Sequence, residues 1–179
     1  MRHLKTEDFY IDTGKKGKVL CTTQKDIIFV FFHLDGKQCE NCEAMLPEFM
    51  KLPNLVPQIK YALVDLSKNP EIAKKTTQTI APIKYVPYLI VFVNNRPFLR
   101  YDGGKSSTEM AQFLRELLAN IPKDYLQRIA SNNNTVSSGA KFESEVPVYP
   151  AGGIPYNVVC DKNTGVCYLS FDELMSKKK

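Results

Sequence analysis

The feature that most constrains the fold is the stretch of residues 27–42, where an apolar strand leads directly into two closely spaced cysteines. Residues 27–33 are apolar up to a final histidine, which is typical of a buried strand. A short polar turn follows, and then Cys39 and Cys42 precede apolar residues at helical spacing. We therefore predict a strand over 27–33, and a helix over 43–52 that the Cys-x-x-Cys motif opens.

Two cysteines at a helix N-terminus are placed for redox chemistry. The N–H groups and the dipole of the helix favour a thiolate, and the thiolate is the nucleophile in disulfide exchange. Cys39 is predicted to be the exposed attacking thiol, and Cys42, one turn further on, the thiol that resolves a mixed disulfide. The negative charges of Glu40 and Glu43 oppose a thiolate, which predicts a reducing or neutral poise.

Two other interpretations of the cysteine pair stay open. Cys39 and Cys42 could form a static disulfide, or they could be half of a zinc site. Zinc requires further ligands. Cys160 and Cys167 could supply two of them, although six residues separate these cysteines and no histidine accompanies them.

Composition and charge exclude several classes of function. The chain of 179 residues has room for one domain and an extension, and its five cysteines leave at least one thiol unpaired. Much of the net charge of +5 lies in lysines at 15–18 and 177–179 without interleaved aromatic residues, so no nucleic-acid partner is predicted. We find no secretory signal, spanning segment or retention signal, and expect a cytoplasmic protein without a membrane partner or a cofactor.

Beyond the cysteine pair, strand and helix patterns alternate. The predicted elements are a strand over 61–65, a helix over 71–77, strands over 88–93 and 97–101, and a helix over 108–119. Asn94 and Asn95 mark a hairpin between the last two strands, and Ser106 or Ser107 could cap the last helix. This order predicts an α/β fold, in which a mixed sheet is flanked by helices on both faces.

The predicted domain covers residues 25–121, and residues 1–24 add an N-terminal strand region to it. In that region short strands over 9–11 and 18–21 could flank a turn. Cys21 lies in one of them and is predicted to be a small buried residue and not a redox partner.

From residue 25 to residue 119 the chain resembles the thioredoxin family of dithiol oxidoreductases. The cysteine pair follows a buried strand, Pro47 stands five residues beyond the second cysteine, and Val86-Pro87 precedes an apolar strand. The resemblance implies a thioredoxin fold and a cis bond before Pro87. It also implies that Val86 and Pro87 line a groove in which an extended peptide adds as a strand. The expected partners are protein disulfides, with a reductase or glutathione as the electron donor.

Residues 79–88 and 96–103 also resemble thioredoxin-like proteins encoded by large DNA viruses, which suggests a virion component. The chain departs from the family where a buried acid is expected on the strand over 27–33. Phe31 or His33 takes that place, and Leu63 takes the place of a buried lysine. His33 is therefore either a proton relay that tunes the dithiol or a structural histidine.

The C-terminal third has a different composition. Residues 122–155 are predicted to be a helix remnant and a flexible linker, and residues 156–179 a hairpin arm that docks on the domain or on a partner protein. Cys160 and Cys167 fall on opposite arms of this hairpin and form a possible second thiol pair, either bonded or reduced. Two functions follow: a thiol–disulfide oxidoreductase, or a structural or virion protein that docks through residues 131–179.

Overall fold

The computed structural model describes residues 1–14, 17–35, 38–121 and 167–168. The strands are β1 Arg2–His3, β2 Phe9–Gly14, β3 Gly17–Thr22, β4 Ile27–His33, β5 Lys60–Asp65, β6 Tyr85–Val86, β7 Tyr88–Val93, β8 Arg96–Tyr101 and β9 Cys167–Tyr168. The α-helices are α1 Glu40–Leu55, α2 Pro70–Thr76 and α3 Ser107–Asn120, and a short 3-10 turn covers Thr6–Asp8.

The central sheet has the strand order β1-β5-β4-β7-β8. β4 is parallel to β5 and antiparallel to β7, and β8 returns antiparallel to β7. Asn94 and Asn95 connect β7 and β8 with φ angles of 47° and 75°, the left-handed conformation that a tight hairpin requires. The predicted mixed sheet and its hairpin are confirmed, whereas the edge strand β1 was not predicted.

Different elements cover the two faces of this sheet. Side chains alternate along β4, so Phe29 and Phe32 point to opposite faces. Phe29 packs against Phe49 of α1 and Phe113 of α3, with ring centroids 5.4 and 6.2 Å apart. On the other face, Phe32 packs against Phe9 of β2 at 5.6 Å, and α2 lies against the hairpin of β2 and β3. This hairpin confirms the two short strands expected near the N-terminus.

Helix α1 is longer than the sequence predicts. It begins at Glu40, inside the cysteine motif, and it continues past Pro53 to Leu55. Each proline in the helix removes one helical N–H donor, which weakens the helix locally without ending it here. The helix ends where the Val56 N–H donates to the Leu52 carbonyl at 2.8 Å.

Only one short piece of the predicted C-terminal arm lies among the described residues. β9 pairs antiparallel with β6, with Tyr168 opposite Tyr85 and Cys167 opposite Val86. The predicted helix remnant, linker and first hairpin strand lie outside the described residues. Within the described part of the chain, no helix has the length and apolar character needed to cross a membrane.

Candidate functional site

The cysteine motif forms the first turn of α1. Cys39 has an extended backbone and occupies the N-cap position, where its sulfur accepts the Cys42 N–H at 3.1 Å. The two cysteines are joined in a disulfide, with their Cα atoms 5.2 Å apart. The helix start therefore delivers both an N–H donor and the positive end of its dipole to the Cys39 sulfur.

The predicted exposure of Cys39 is wrong. Both cysteines are buried, and Cys39 has no solvent-accessible surface. Its sulfur lies 3.8 Å from the carbonyl oxygen of Val86, which is also fully buried. A disulfide sulfur has no proton to donate, so this is a van der Waals contact in the oxidised state. The sulfur at the helix N-cap is therefore closed off by a neighbouring segment of the chain.

That neighbouring segment is the one predicted to form a substrate groove. The Val86–Pro87 peptide bond is cis, and it directly precedes β7. Arg100 supports the segment, because its guanidinium lies 5.6 Å from the Tyr85 ring centroid and donates to the Tyr85 hydroxyl. The Tyr85 and Tyr88 rings pack edge to face at 5.5 Å. The structure thus brings Val86 to Cys39 on a segment held by aromatic contacts.

The electrostatics of the helix start include a cation that the sequence did not indicate. Glu40 and Glu43 are exposed, as expected for surface charges. Asn41, between the cysteines, is buried and accepts a hydrogen bond from the ammonium group of Lys105. Lys105 comes from the loop before α3, so no spacing within the motif could have indicated it. Its positive charge opposes the effect of the two glutamates, and the predicted reducing poise stays a prediction.

The strand beneath the helix carries an aromatic residue where a buried acid was considered. Phe31 is fully buried, and its ring lies 5.2 Å from that of Phe49. His33 is half-buried at the end of β4, with its ring 5.6 Å from Phe31. The role of His33 as a proton relay stays a prediction.

A charge network joins the turn before the motif to the end of β5. Lys68 lies 3.1 Å from Asp35 and 2.9 Å from Asp65. Burial acts to raise the pKa of Asp65, but hydrogen bonds from Ser67 and Lys68 outweigh it, so its pKa is lowered. The network links Asp35, an exposed residue at the start of the turn, to the end of β5.

The oxidised state of the cysteine pair does not fit the zinc site considered as an alternative. Cys39 and Cys42 are bonded to each other, and in that state neither is a thiolate ligand. Cys160 lies outside the described residues, so its pairing with Cys167 stays a prediction. Among the residues that the structure describes, no three histidine, cysteine or acidic side chains cluster as a metal site.

Comparison with known proteins agrees with this architecture. Residues 17–116, more than half of the chain, match the family model described as Thioredoxin. Uncharacterized protein 196R of Invertebrate iridescent virus 6 is 32% identical over 89 residues, which are 50% of this chain and 51% of that protein. Uncharacterized protein 020R of Invertebrate iridescent virus 3 is 24% identical over 174 residues, 95% of this chain and 93% of that protein.

The crystal structure of human ERp44 is similar with a TM-score of 0.45 and 24% identity over 51% of this chain and 27% of that chain. The chain thus spans about half the length of the first viral relative and about a quarter of ERp44. The viral relatives confirm the viral resemblance expected from residues 79–88 and 96–103. The family match, together with the mixed sheet and flanking helices, confirms the predicted fold: the chain belongs to the thioredoxin family.

Proposed function

We propose that this protein is a thiol–disulfide oxidoreductase that reduces or exchanges protein disulfides through Cys39 and Cys42. The observation that supports this proposal is the geometry at the start of α1. A disulfide joins the N-cap residue to a residue of the first turn, and the N-cap sulfur contacts the Val86 carbonyl beside Pro87. In a thioredoxin-family chain this arrangement combines an activated sulfur with an edge for an extended peptide.

The reaction proceeds in two exchanges. In the reduced protein, the Cys39 thiolate attacks one sulfur of a substrate disulfide, forms a mixed disulfide and releases the first substrate thiolate, which takes up a proton. The Cys42 thiolate then attacks the Cys39 sulfur and releases the second substrate thiol. The Cys42 N–H, 3.1 Å from the Cys39 sulfur in the oxidised protein, stabilises negative charge there. A reductase or glutathione returns two electrons to the Cys39–Cys42 disulfide.

The burial of Cys39 adds a condition to this mechanism. A nucleophile must approach the Cys39–Cys42 bond along its axis, and a sulfur without accessible surface offers no such path. The segment around Val86 and Pro87, which we call the covering segment, must therefore move before the substrate or the electron donor reacts. We expect the disulfide to react slowly in the closed form, and faster when the covering segment is displaced.

Insulin reduction by the full chain tests the proposal. The wild-type protein, supplied with dithiothreitol, should accelerate insulin precipitation, and Cys39→Ser should abolish the acceleration. Cys42→Ser should accumulate a mixed disulfide between Cys39 and insulin. Cys21→Ala is the matched control, because it removes a cysteine that lies outside the motif and should keep the activity. Turnover that Cys39→Ser leaves unchanged would contradict the proposal.

The complete burial of Cys39 also supports a second candidate function. A fully covered disulfide suits a thioredoxin-fold structural or interaction protein, which would dock through residues 131–179. We propose a cytoplasmic location for the oxidoreductase and packaging in a virus particle for the structural protein, because both curated relatives are virus-encoded. Immunoblotting of purified particles tests packaging. Absence of insulin turnover together with abundance in particles would favour the structural candidate.

A further inference from the structure

The backbone edge beside the disulfide already carries a strand, and that strand comes from the same chain. β9 pairs antiparallel with β6 through two residue pairs, Tyr85 with Tyr168 and Val86 with Cys167. β6 ends at the cis bond to Pro87 and belongs to no other sheet among the described strands. An extended peptide that binds by strand addition would use this same ladder of N–H and C=O groups.

The register of the pairing places Cys167 opposite Val86, the residue next to the disulfide. Residues paired across an antiparallel ladder have Cα atoms roughly 4.5–5.5 Å apart. Cys167 is paired with Val86, and the carbonyl oxygen of Val86 lies 3.8 Å from the sulfur of Cys39. Val86 therefore contacts the sulfur of Cys39 and is also the residue with which Cys167 is paired. A slip of one residue in the register would put Tyr168 there instead.

We propose that Cys167 is an internal exchange partner of the Cys39–Cys42 disulfide, presented on the edge of β6 by β9 as a peptide substrate would be. This inference rests on the proposed function, because it names the first substrate of the same dithiol. The substrate is a cysteine-bearing extended segment, and the chain supplies one itself.

The exchange balances without an external oxidant. The Cys167 thiolate attacks the Cys39 sulfur, so that the Cys39–Cys42 bond breaks and a Cys39–Cys167 bond forms. Cys42 leaves as a thiolate and takes up the proton that Cys167 lost. Reversal by Cys42 restores the original disulfide, and no net electrons are transferred. Because both partners are in one chain, the exchange is favoured by a high effective concentration over an external thiol.

Occupation of β6 also means that an external peptide competes with β9 for the same edge. The chain's own segment must leave before a protein substrate pairs with Tyr85 and Val86. Displacement of β9 would open the edge of β6. The Cys39–Cys42 disulfide would then be more reactive to external thiols, because Cys167 could no longer bond to Cys39.

The test uses the full chain with Cys42→Ser, in which any bond made by Cys39 persists. The protein is equilibrated in a glutathione redox buffer, quenched with acid, digested without reduction and analysed by mass spectrometry. We expect a peptide pair linked through Cys39 and Cys167. The added substitution Cys167→Ser should eliminate the pair, and the added substitution Cys160→Ser should preserve it.

A register control separates presentation by the strand pairing from a chance collision between Cys39 and a C-terminal cysteine. In the Cys42→Ser chain, Cys167→Ser combined with Tyr168→Cys moves the thiol by one residue, to the opposite face of the strand. We expect loss of most of the linked peptide. Equal linkage from position 168, or equal linkage of Cys39 to Cys160 in the parent chain, would overturn the proposal.

The linked-peptide test and the insulin assay together distinguish failure of the internal exchange from failure of the proposed function. If Cys42→Ser captures insulin but forms no Cys39–Cys167 link, the internal exchange is overturned and the oxidoreductase proposal stands. If the link forms but insulin is neither reduced nor captured, the internal exchange is supported and the reduction of external proteins is overturned. If neither forms, both are overturned.

Discussion

The carbonyl oxygen of Val86 lies 3.8 Å from the sulfur of Cys39, although the two residues are 47 positions apart in the sequence. This contact joins the helix N-terminus that activates a sulfur to the backbone edge that can present a peptide. Both residues are fully buried. The activating end of α1 and the segment at the cis-proline thus meet at this contact.

The segment that leads into β6 should depend on one buried hydroxyl. Thr76 is fully buried, donates to the Ala73 carbonyl at 2.7 Å and accepts the Ile83 N–H at 2.9 Å. Thr76→Val keeps the shape but leaves that N–H without a partner, which should lower the free energy of unfolding by about 1–3 kcal/mol. Urea unfolding measures the change.

Thr77→Val is the matched control for this variant. Thr77 makes the same kind of bond, to the Lys74 carbonyl at 2.7 Å, but it is exposed and its loss leaves no buried donor unpaired. We expect a change within about 0.5 kcal/mol. Equal destabilisation by the two substitutions would show that the hydrogen bond from the Ile83 N–H adds nothing to the free energy of unfolding.

Glu48 should stabilise the contact between α1 and α3 in a pH-dependent way. Hydrogen bonds from Lys51 and then from Ser107 lower its pKa to about 2. Ser107 donates its hydroxyl at 2.6 Å and its N–H at 3.0 Å. Because the folded pKa lies below the ordinary 4.5, the stabilisation is present above pH 4.5 and is lost as the pH falls towards 2.

Glu48→Gln should therefore lower the Tm at pH 7 and have little effect near pH 2. The ammonium group of Lys51 is largely exposed, so solvent screens its contribution, and Lys51→Met should lower the Tm less. Calorimetry at both pH values checks this. A Tm difference between Glu48→Gln and wild type that is the same at pH 7 and pH 2 would argue against the linkage.

Cys21 should be chemically inert in the folded protein. It is fully buried and forms no disulfide, and burial raises its pKa to about 11. Iodoacetamide at pH 8 should leave it unmodified until the chain is unfolded, as mass spectrometry would show. Modification of the native protein at the unfolded rate would contradict its burial.

The raised pKa of Cys21 also predicts an alkaline effect on stability. The ordinary thiol pKa of 9 lies below the folded value of about 11, so the unfolded state loses its proton first. The stability that this group contributes is full below pH 9 and is lost as the pH rises to about 11. Comparison with Cys21→Ala, whose stability should fall less over this range, isolates the effect by urea unfolding.

Local patterns predicted the elements that local chemistry decides. The apolar residues of β4 favour a buried strand, and the paired asparagines before β8 favour a tight turn. These preferences do not depend on contacts with remote parts of the chain. β1 escaped prediction because Arg2 and His3 are polar and exposed, and only pairing with β5 makes them a strand. The length of α1 was underestimated because two prolines oppose it locally.

The site was predicted in its residues and not in its environment. The motif indicated Cys39 and Cys42, and the family resemblance indicated Val86. The exposure of a sulfur, however, depends on distant segments that spacing does not reveal. The same holds for Lys105, whose bond to Asn41 spans 64 positions, and for the pairing of β9 with β6. Contacts between remote segments carry no periodic signal in one sequence.

The most direct test of the account is a redox titration of the wild-type chain in glutathione buffers. The states of Cys39 and Cys42 are read by acid quench, alkylation and mass spectrometry. We predict a reversible two-electron transition between about −300 and −180 mV, the range of reducing and neutral dithiols. A pair that stays bonded in every buffer would be a static disulfide, and a potential near about −120 mV would be that of a strong oxidant; either result would contradict the account.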